Sequence, residues 1–109
     1  MIDYEAFSKI DIRAGEIIKA ASFPGAKKPA YQLWIDLGPI GVKKSSAQIT
    51  GLYTPQELVG KHVLTVVNLP PRQIANFISE VLVLGVVLDE GNVALVQPDR
   101  DVPPGKRVL

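Results

Sequence analysis

Residues 53–61 read YTPQELVGK, and this stretch separates two groups of strand-like segments. Thr54 can cap a helix, Pro55 suits the first helical position, and Glu57, three residues after Thr54, completes a capping box. Gly60 can end the helix after little more than one turn. The stretch therefore predicts one short helix, and segments rich in apolar and β-branched residues lie on both sides of it.

Three segments before this helix have the pattern of β-strands. In residues 9–23, KIDIRAGEIIKAASF, apolar and polar residues alternate as far as Gly15, where the glycine permits a bend or a bulge. Residues 31–38, YQLWIDLG, alternate with period two, which places Trp34 on the face opposite the aliphatic residues. Residues 42–50, VKKSSAQIT, form a third and more polar strand in this interpretation.

Three apolar segments follow the helix: HVLTVVNL at 62–69, SEVLVLGVVL at 79–88 and NVALVQP at 92–98. A turn of helix capped by Asp3 precedes the first strand. This order predicts an all-β fold, a five-to-six-stranded Greek-key barrel of the OB type with short helices. An SH3-like barrel or a split sandwich has a similar strand count, but the glycine-containing first strand and the position of the helix favour the OB barrel.

Length and composition bound the class of protein. A chain of 109 residues predicts a single domain over residues 1–109. There is no cysteine, which excludes disulfides and thiolate metal sites, and the acidic N-terminal residues do not resemble a signal peptide. The longest apolar run, residues 81–88, is far shorter than the ~20 residues that a membrane span needs. We therefore expect a cytoplasmic protein with no stable membrane insertion.

The residue types needed for catalysis are scarce. His62 is the only histidine, so a zinc site has too few ligands. Ser45 and Ser46 lack the G-x-S-x-G context of an activated serine, and the glycines form no phosphate-binding loop. The sequence predicts a protein that is not an enzyme and that has no metal site and no cofactor.

A second stretch, NLPPRQIANFISEVLVLG at residues 68–85, predicts a binding site. Two prolines cannot continue a central strand, so this stretch should contain the loop between the fourth and fifth strands. The loop offers apolar and hydrogen-bonding groups to an extended polypeptide or a single-stranded nucleic acid; the alternative is a well-packed connection with a polar outer side. The candidate peptide-binding residues are Pro70, Pro71, Arg72, Gln73, Ile74, Asn76, Phe77 and Ile78.

Basic residues are clustered locally, although the formal net charge is only +1. Lys27 and Lys28 lie in a loop rich in Pro and Gly, and Lys43 and Lys44 begin the third strand. They could form a nucleic-acid surface together with Arg72, or they could keep strand edges soluble. Trp34 is a single aromatic residue rather than a stacking platform, so we expect a helix, a terminus or a second subunit to cover it.

The segments KPAYQLWIDLG, KKSSAQIT, LYTPQELVGK and VVNLPPRQIANFISEVLVLG together resemble the CsaA family of secretion-associated chaperones. This family lies within the tRNA-binding OB-domain superfamily, and the resemblance spans nearly the whole chain. It implies a homodimer that binds unfolded or precursor polypeptides, with the export motor SecA as a possible partner. The wider superfamily binds tRNA by shape and charge, so tRNA is the alternative ligand.

The resemblance also assigns candidate tRNA-binding residues. They are Lys27, Lys28, Lys43, Lys44, Asn68, Arg72 and Ser79. The tRNA-binding branch has the motif S-E-G-M, whereas this chain has Val81 and Leu82 in place of the glycine and methionine. Valine restricts the backbone and adds bulk relative to glycine, so this departure favours the CsaA branch.

The apolar content of residues 79–88 and 93–109 exceeds what one small barrel needs. Exposed β edges are usually paired or covered, and a two-fold dimer is the commonest way to cover them. The sequence therefore predicts a homodimer.

Overall fold

A computed structural model describes residues 1–109 and consists mainly of short strands. The helices are α1 (Tyr4–Ser8) and α2 (Pro55–Leu58), and 3-10 turns occupy Gly38–Ile40 and Asp89–Gly91. The strands are β1 (Ile12–Ser22), β2 (Tyr31–Asp36), β3 (Val42–Ala47), β4 (His62–Val66), β5 (Arg72–Ile74), β6 (Phe77–Ser79), β7 (Leu82–Val83), β8 (Gly85–Val87) and β9 (Val93–Leu95). None of the helices is long and apolar enough to span a membrane.

The main sheet is antiparallel, with the strand order β3-β2-β1-β4-β7. The carbonyl of Lys44 in β3 accepts hydrogen bonds from the backbone N–H groups of Glu80 (2.8 Å) and Val81 (3.3 Å), which precede β7. These bonds bring the two edges of the sheet together and nearly close it into a barrel. The all-β OB-type fold expected from the sequence is confirmed.

The number of strands exceeds the expected five or six for two reasons: β5 and β6 form within the predicted loop, and residues 79–88 do not form one strand. They divide among the end of β6, β7 and β8. β6 pairs with β5 in a hairpin, β7 pairs with β4, and β8 pairs with β9 in a separate hairpin. The strands that form within this continuous apolar stretch therefore pair with three different strands: β5, β4 and β9.

The barrel interior holds the aliphatic face of β2. Leu33, Ile35 and Leu37 are completely buried, as the period-two pattern predicted. They pack with Ile17 of β1 and with Leu58, the buried residue of α2. The capping box predicted for α2 is present, because the Glu57 N–H donates to Thr54 Oγ1 and the Thr54 N–H donates to Glu57 Oε1 at 2.8 Å. The short helix thus closes one part of the core.

Gly15 is required by close packing. A Cβ atom at this position would lie 2.6 Å from Ile35 Cγ2 and 2.9 Å from Leu37 Cδ2, distances that force neighbouring atoms to move. The register shift between β1 and β2 falls between Ile17 and Lys19, which makes Ile18 the irregular residue. The irregularity expected in the first strand is present, but it lies three residues after the glycine.

The C-terminal residues are attached to β1 by hydrogen bonds. The Arg13 guanidinium donates to the Asp11 carboxylate at 2.7 and 3.2 Å and to the Gly105 carbonyl at 3.0 Å. The hydrogen bond with Arg13 lowers the pKa of the Asp11 carboxyl below its usual value, and burial opposes this effect. The Val108 N–H also donates to the Ile12 carbonyl at 2.8 Å. This side of the barrel is therefore covered by residues 105–108.

Candidate binding groove

The stretch that contains the two prolines forms a β-hairpin rather than a single loop. Pro70 and Pro71 lie outside the strands, as expected, but β5 then begins at Arg72 and pairs with β6. Ala75 at the turn has a φ of 53°, in the left-handed region. The hairpin is thus a short two-stranded sheet that packs against the main barrel.

Residues 79–81 join this hairpin to β3, and we call their hydrogen bonds the seam. Besides the two bonds to the Lys44 carbonyl, the Lys44 N–H donates to Glu80 Oε1 at 3.1 Å and the Ser46 N–H donates to Ser79 Oγ at 3.0 Å. This segment therefore satisfies three backbone groups of β3: the N–H and the carbonyl of Lys44 and the N–H of Ser46. The seam fixes the hairpin over the end of β3.

Two cavities flank the hairpin and together form what we call the groove. The apolar arm has a volume of about 380 Å³, and its lining includes Ile49, Leu69, Pro70, Val81, Val83 and Val93. The basic arm has a volume of about 630 Å³, and its lining includes Lys27, Lys28, Gln73 and Ala75. Ser46, Gln48, Arg72 and Ile74 line both arms. The arms are therefore adjacent and share these four residues.

The charges of the two arms differ. Lys27, Lys28 and Arg72 are exposed and are the only charged residues that line the basic arm. None of them takes part in an ion pair of the structure. The apolar arm contains Arg72 and one carboxylate, Glu80. The groove is thus cationic at one end and mainly apolar at the other.

The structure brings half of the candidate peptide-binding residues together in the groove. Pro70, Arg72, Gln73 and Ile74 line it, whereas Pro71, Asn76 and Ile78 do not. Ile78 is 46% exposed, and it pairs across the hairpin with Gln73.

Phe77 is buried below the hairpin rather than presented to a ligand. Only 6% of its surface is exposed, and its ring makes edge-to-face contacts with Phe23 (5.4 Å between centroids) and Trp34 (5.9 Å). The expectation that Phe77 lines a peptide site is wrong, because the alternation of β6 directs it into this aromatic cluster. Trp34 is covered by Phe77 of the same chain and by Lys19, whose Nζ lies 4.5 Å from the indole centroid.

Only two of the four candidate lysines lie in the groove. Lys43 and Lys44 are neighbours in β3 and therefore point to opposite faces of the sheet. Lys44 extends over the Phe77 ring, with Nζ 5.2 Å from its centroid, and Lys43 is opposite Ile35 of β2. Lys27 and Lys28 line the basic arm. The single basic surface expected from both pairs is therefore not formed.

Two other candidate tRNA-binding residues have structural hydrogen bonds. Asn68 accepts from the Asp11 N–H at 2.9 Å and donates to the Lys9 carbonyl at 2.7 Å, so its amide holds the segment before β1. Ser79 Oγ belongs to the seam, although Ser79 also lines the apolar arm. Both side chains are therefore engaged in hydrogen bonds within the fold. Of the candidate tRNA-binding residues between 68 and 79, Arg72 is the one that is free to bind a ligand.

Several groove residues were not among the candidates from the sequence, and three of them carry part of the binding argument. Gln48, Leu69 and Glu80 come from different segments and meet only because the seam closes the barrel. Gln48 lies in a stretch whose periodicity indicates only a strand, whereas Leu69 and Glu80 lie within residues 68–85 but have no feature that singles them out there. Leu69 is 47% exposed, which makes it accessible to a ligand.

The barrel, the packed hairpin and the groove define a binding domain of the OB type. Residues 12–107 match the family described as "Putative tRNA binding domain". Among solved structures, the chain is 54% identical to the chaperone CsaA of Picrophilus torridus, with full coverage of both chains and a TM-score of 0.93. It is 45% identical to CsaA of Bacillus anthracis str. Ames, covering 100% of this chain and 99% of that one, with a TM-score of 0.96.

A curated relative of another kind is the methionine–tRNA ligase of Methanocaldococcus jannaschii. The identity is 38% over 107 residues, which cover 98% of this chain and 16% of the ligase. This chain therefore spans about one sixth of the length of that enzyme. The chain belongs to the tRNA-binding domain family and, within it, to the CsaA group.

The burial of Phe77 gives a prediction about stability. We expect Phe77→Ala to reduce the free energy of unfolding by about 3–4 kcal/mol, because it removes the ring contacts with Phe23 and Trp34 and leaves a cavity. The adjacent Ile78→Ala should cost less than about 1 kcal/mol, because nearly half of Ile78 is already exposed. Urea denaturation of both variants measures the difference. Equal losses would contradict the placement of Phe77 in the core.

Proposed function

We propose that this protein binds unfolded or precursor polypeptides in the groove, without catalysis, as a chaperone of protein export in the cytoplasm. The observation that carries the proposal is the lining of the groove. It combines apolar and hydrogen-bonding residues, and neither arm contains a Phe, Tyr or Trp. Aromatic side chains are the usual stacking platforms for unpaired bases, so this lining suits polypeptide better than single-stranded nucleic acid.

The apolar arm can bury side chains of an extended polypeptide. Leu69 and Leu82 line it and are each 47% exposed, so a ligand would remove much of their apolar surface from water. Each Å² buried contributes roughly 25 cal/mol, so a few such contacts give binding that is moderate and not tied to one sequence. Such affinity suits a chaperone, which must also release its clients. The similarity to the CsaA chaperones supports this proposal, and SecA is the partner that it implies.

Binding of tRNA is the second candidate function. The family match and the three unpaired cations of the basic arm favour it. Two features of the groove oppose strong binding. Glu80 places a carboxylate in the groove lining, where it would repel a phosphate, and Val81, where the tRNA-binding branch has glycine, is only 7% exposed in the barrel core.

We also propose that the protein is a homodimer. All three residues of β8 are exposed, with Val86 at 53% and Val87 at 77%, and Leu88 after them at 45%. Adjacent exposed aliphatic residues on a two-stranded hairpin are a surface that a second copy can cover. The β8–β9 hairpin is therefore the proposed centre of the interface.

Replacing Leu69 tests the peptide site. We expect Leu69→Ala to weaken binding of an unfolded precursor peptide roughly three- to tenfold, because it removes an apolar wall that a ligand would cover. Leu52→Ala is the matched control, since Leu52 is similarly exposed (44%) but lies outside both arms. Fluorescence anisotropy with a labelled peptide measures both. If the two variants bind like the parent protein, the groove is not the peptide site.

A salt series tests the tRNA candidate. If the three cations of the basic arm each contact a phosphate, log K for bulk tRNA should fall by about 2–3 units per tenfold rise in salt concentration. The double variant Lys27→Gln/Lys28→Gln should lower this slope by about 1.5–2. Lys106→Gln, an exposed lysine away from the groove, should leave it unchanged. A slope near zero for the parent protein would rule out this function.

Changing the exposed β8 strand tests the dimer. Val87→Glu should shift the protein towards a monomer, because a buried and unpaired carboxylate in an apolar interface is costly. Sedimentation velocity at micromolar concentrations measures the shift from about twice the chain mass of 11.8 kDa. Val59→Glu is the control, since Val59 is 51% exposed and lies at the end of α2, outside the β8–β9 hairpin. A parent protein that sediments only as an 11.8 kDa species would refute the dimer.

A further inference from the structure

We propose that the groove selects polypeptide segments in which an acidic residue lies close to an apolar one. The basic arm would bind the carboxylate while the apolar arm holds the apolar side chain. This inference rests on the proposed polypeptide-binding function and specifies the class of segment that is bound.

The first support is the uncompensated charge of the basic arm. Lys27, Lys28 and Arg72 line it without any carboxylate among the lining residues, and none of the three forms an ion pair within the chain. Arginine can bind a carboxylate through two parallel hydrogen bonds, and the two lysines add positive charge around it. An anionic group of a ligand would therefore meet three cations that have no other partner.

The second support is the adjacency of the two arms. Arg72 and Ile74 line both cavities, so a ligand bound in one arm lies directly beside the other. An extended chain rises about 3.4 Å per residue, which means that residues only a few positions apart can occupy both arms. The preferred segment is thus short and is defined by spacing as well as composition.

Glu80 gives the site an orientation. It is the only carboxylate in the lining of the groove, and its Oε1 is held in place by the Lys44 N–H. An acidic ligand residue at this end would face a like charge, whereas at the other end it would face the three cations. The positions of the charges therefore favour one direction of binding, with the acidic residue in the basic arm.

A set of labelled peptides tests the inference with the unmodified protein. Each eight-residue peptide contains one leucine, and an aspartate lies two, three, four or five residues away from it. Otherwise identical peptides carry asparagine or lysine in place of the aspartate. We expect the best aspartate peptide to bind about three- to tenfold more tightly than its asparagine partner, which is the size of a few partly exposed charge interactions. Added salt should abolish this advantage.

A charge reversal in the protein tests the same point from the other side. Lys27→Glu/Lys28→Glu should reverse the preference, so that the lysine peptide binds more tightly than the aspartate peptide. Lys9→Glu/Lys106→Glu changes the net charge equally at exposed positions outside the groove and should leave the preference unchanged. A reversed preference cannot arise from loss of folding, and the asparagine peptide reports whether the apolar arm is intact.

The outcomes separate this inference from the proposed function. Equal binding of the aspartate, asparagine and lysine peptides would overturn the inference and leave polypeptide binding in place. If Lys27→Glu/Lys28→Glu still prefers the aspartate peptide, the inference is also overturned, since the peptide charge would then be recognised outside the basic arm. If no peptide binds and bulk tRNA does, both the inference and the polypeptide-binding function are wrong.

Discussion

The seam between β3 and residues 79–81 is the constraint on which the rest of the structure depends. The Lys44 carbonyl accepts two backbone hydrogen bonds across it, and the Glu80 and Ser79 side chains satisfy two further N–H groups of β3. An open five-stranded sheet would leave these groups on a free edge, where they attract other strands. The seam removes much of that edge and places the β5–β6 hairpin beside it.

The position of the hairpin then determines both the packing and the chemistry of this side of the barrel. Its inner face supplies Phe77 to the aromatic cluster with Trp34, and it also carries Arg72 and Ile74 into the groove. One short element therefore provides the buried ring that fixes it and the exposed groups that can bind a ligand. The groove joins an apolar surface to an unpaired cationic surface because Arg72 lies between them.

Much of the site could not be found in the sequence, and the reason differs among residues. Lys43 and Lys44 are adjacent in sequence, but strand alternation sends them to opposite faces. Asn68 has the residue type of a ligand contact, yet both ends of its amide bind the backbone before β1. Leu69 and Glu80 lie within residues 68–85, but nothing local singles them out, since their place in the groove arises from the closure of the barrel. Lys27, Lys28 and Arg72 were found because unpaired charges beside Pro and Gly tend to be exposed.

The sequence by itself determined the class of fold. The capping box at Thr54, the period-two pattern of β2 and the interruption at Pro70 and Pro71 are local features, and each formed where it was expected. Only the tertiary structure decided how the apolar residues 79–88 are shared among β6, β7 and β8, and therefore which side chains meet in the groove. Local propensity depends on neighbours in the chain, whereas pairing between distant strands depends on which strand edges the rest of the fold brings together.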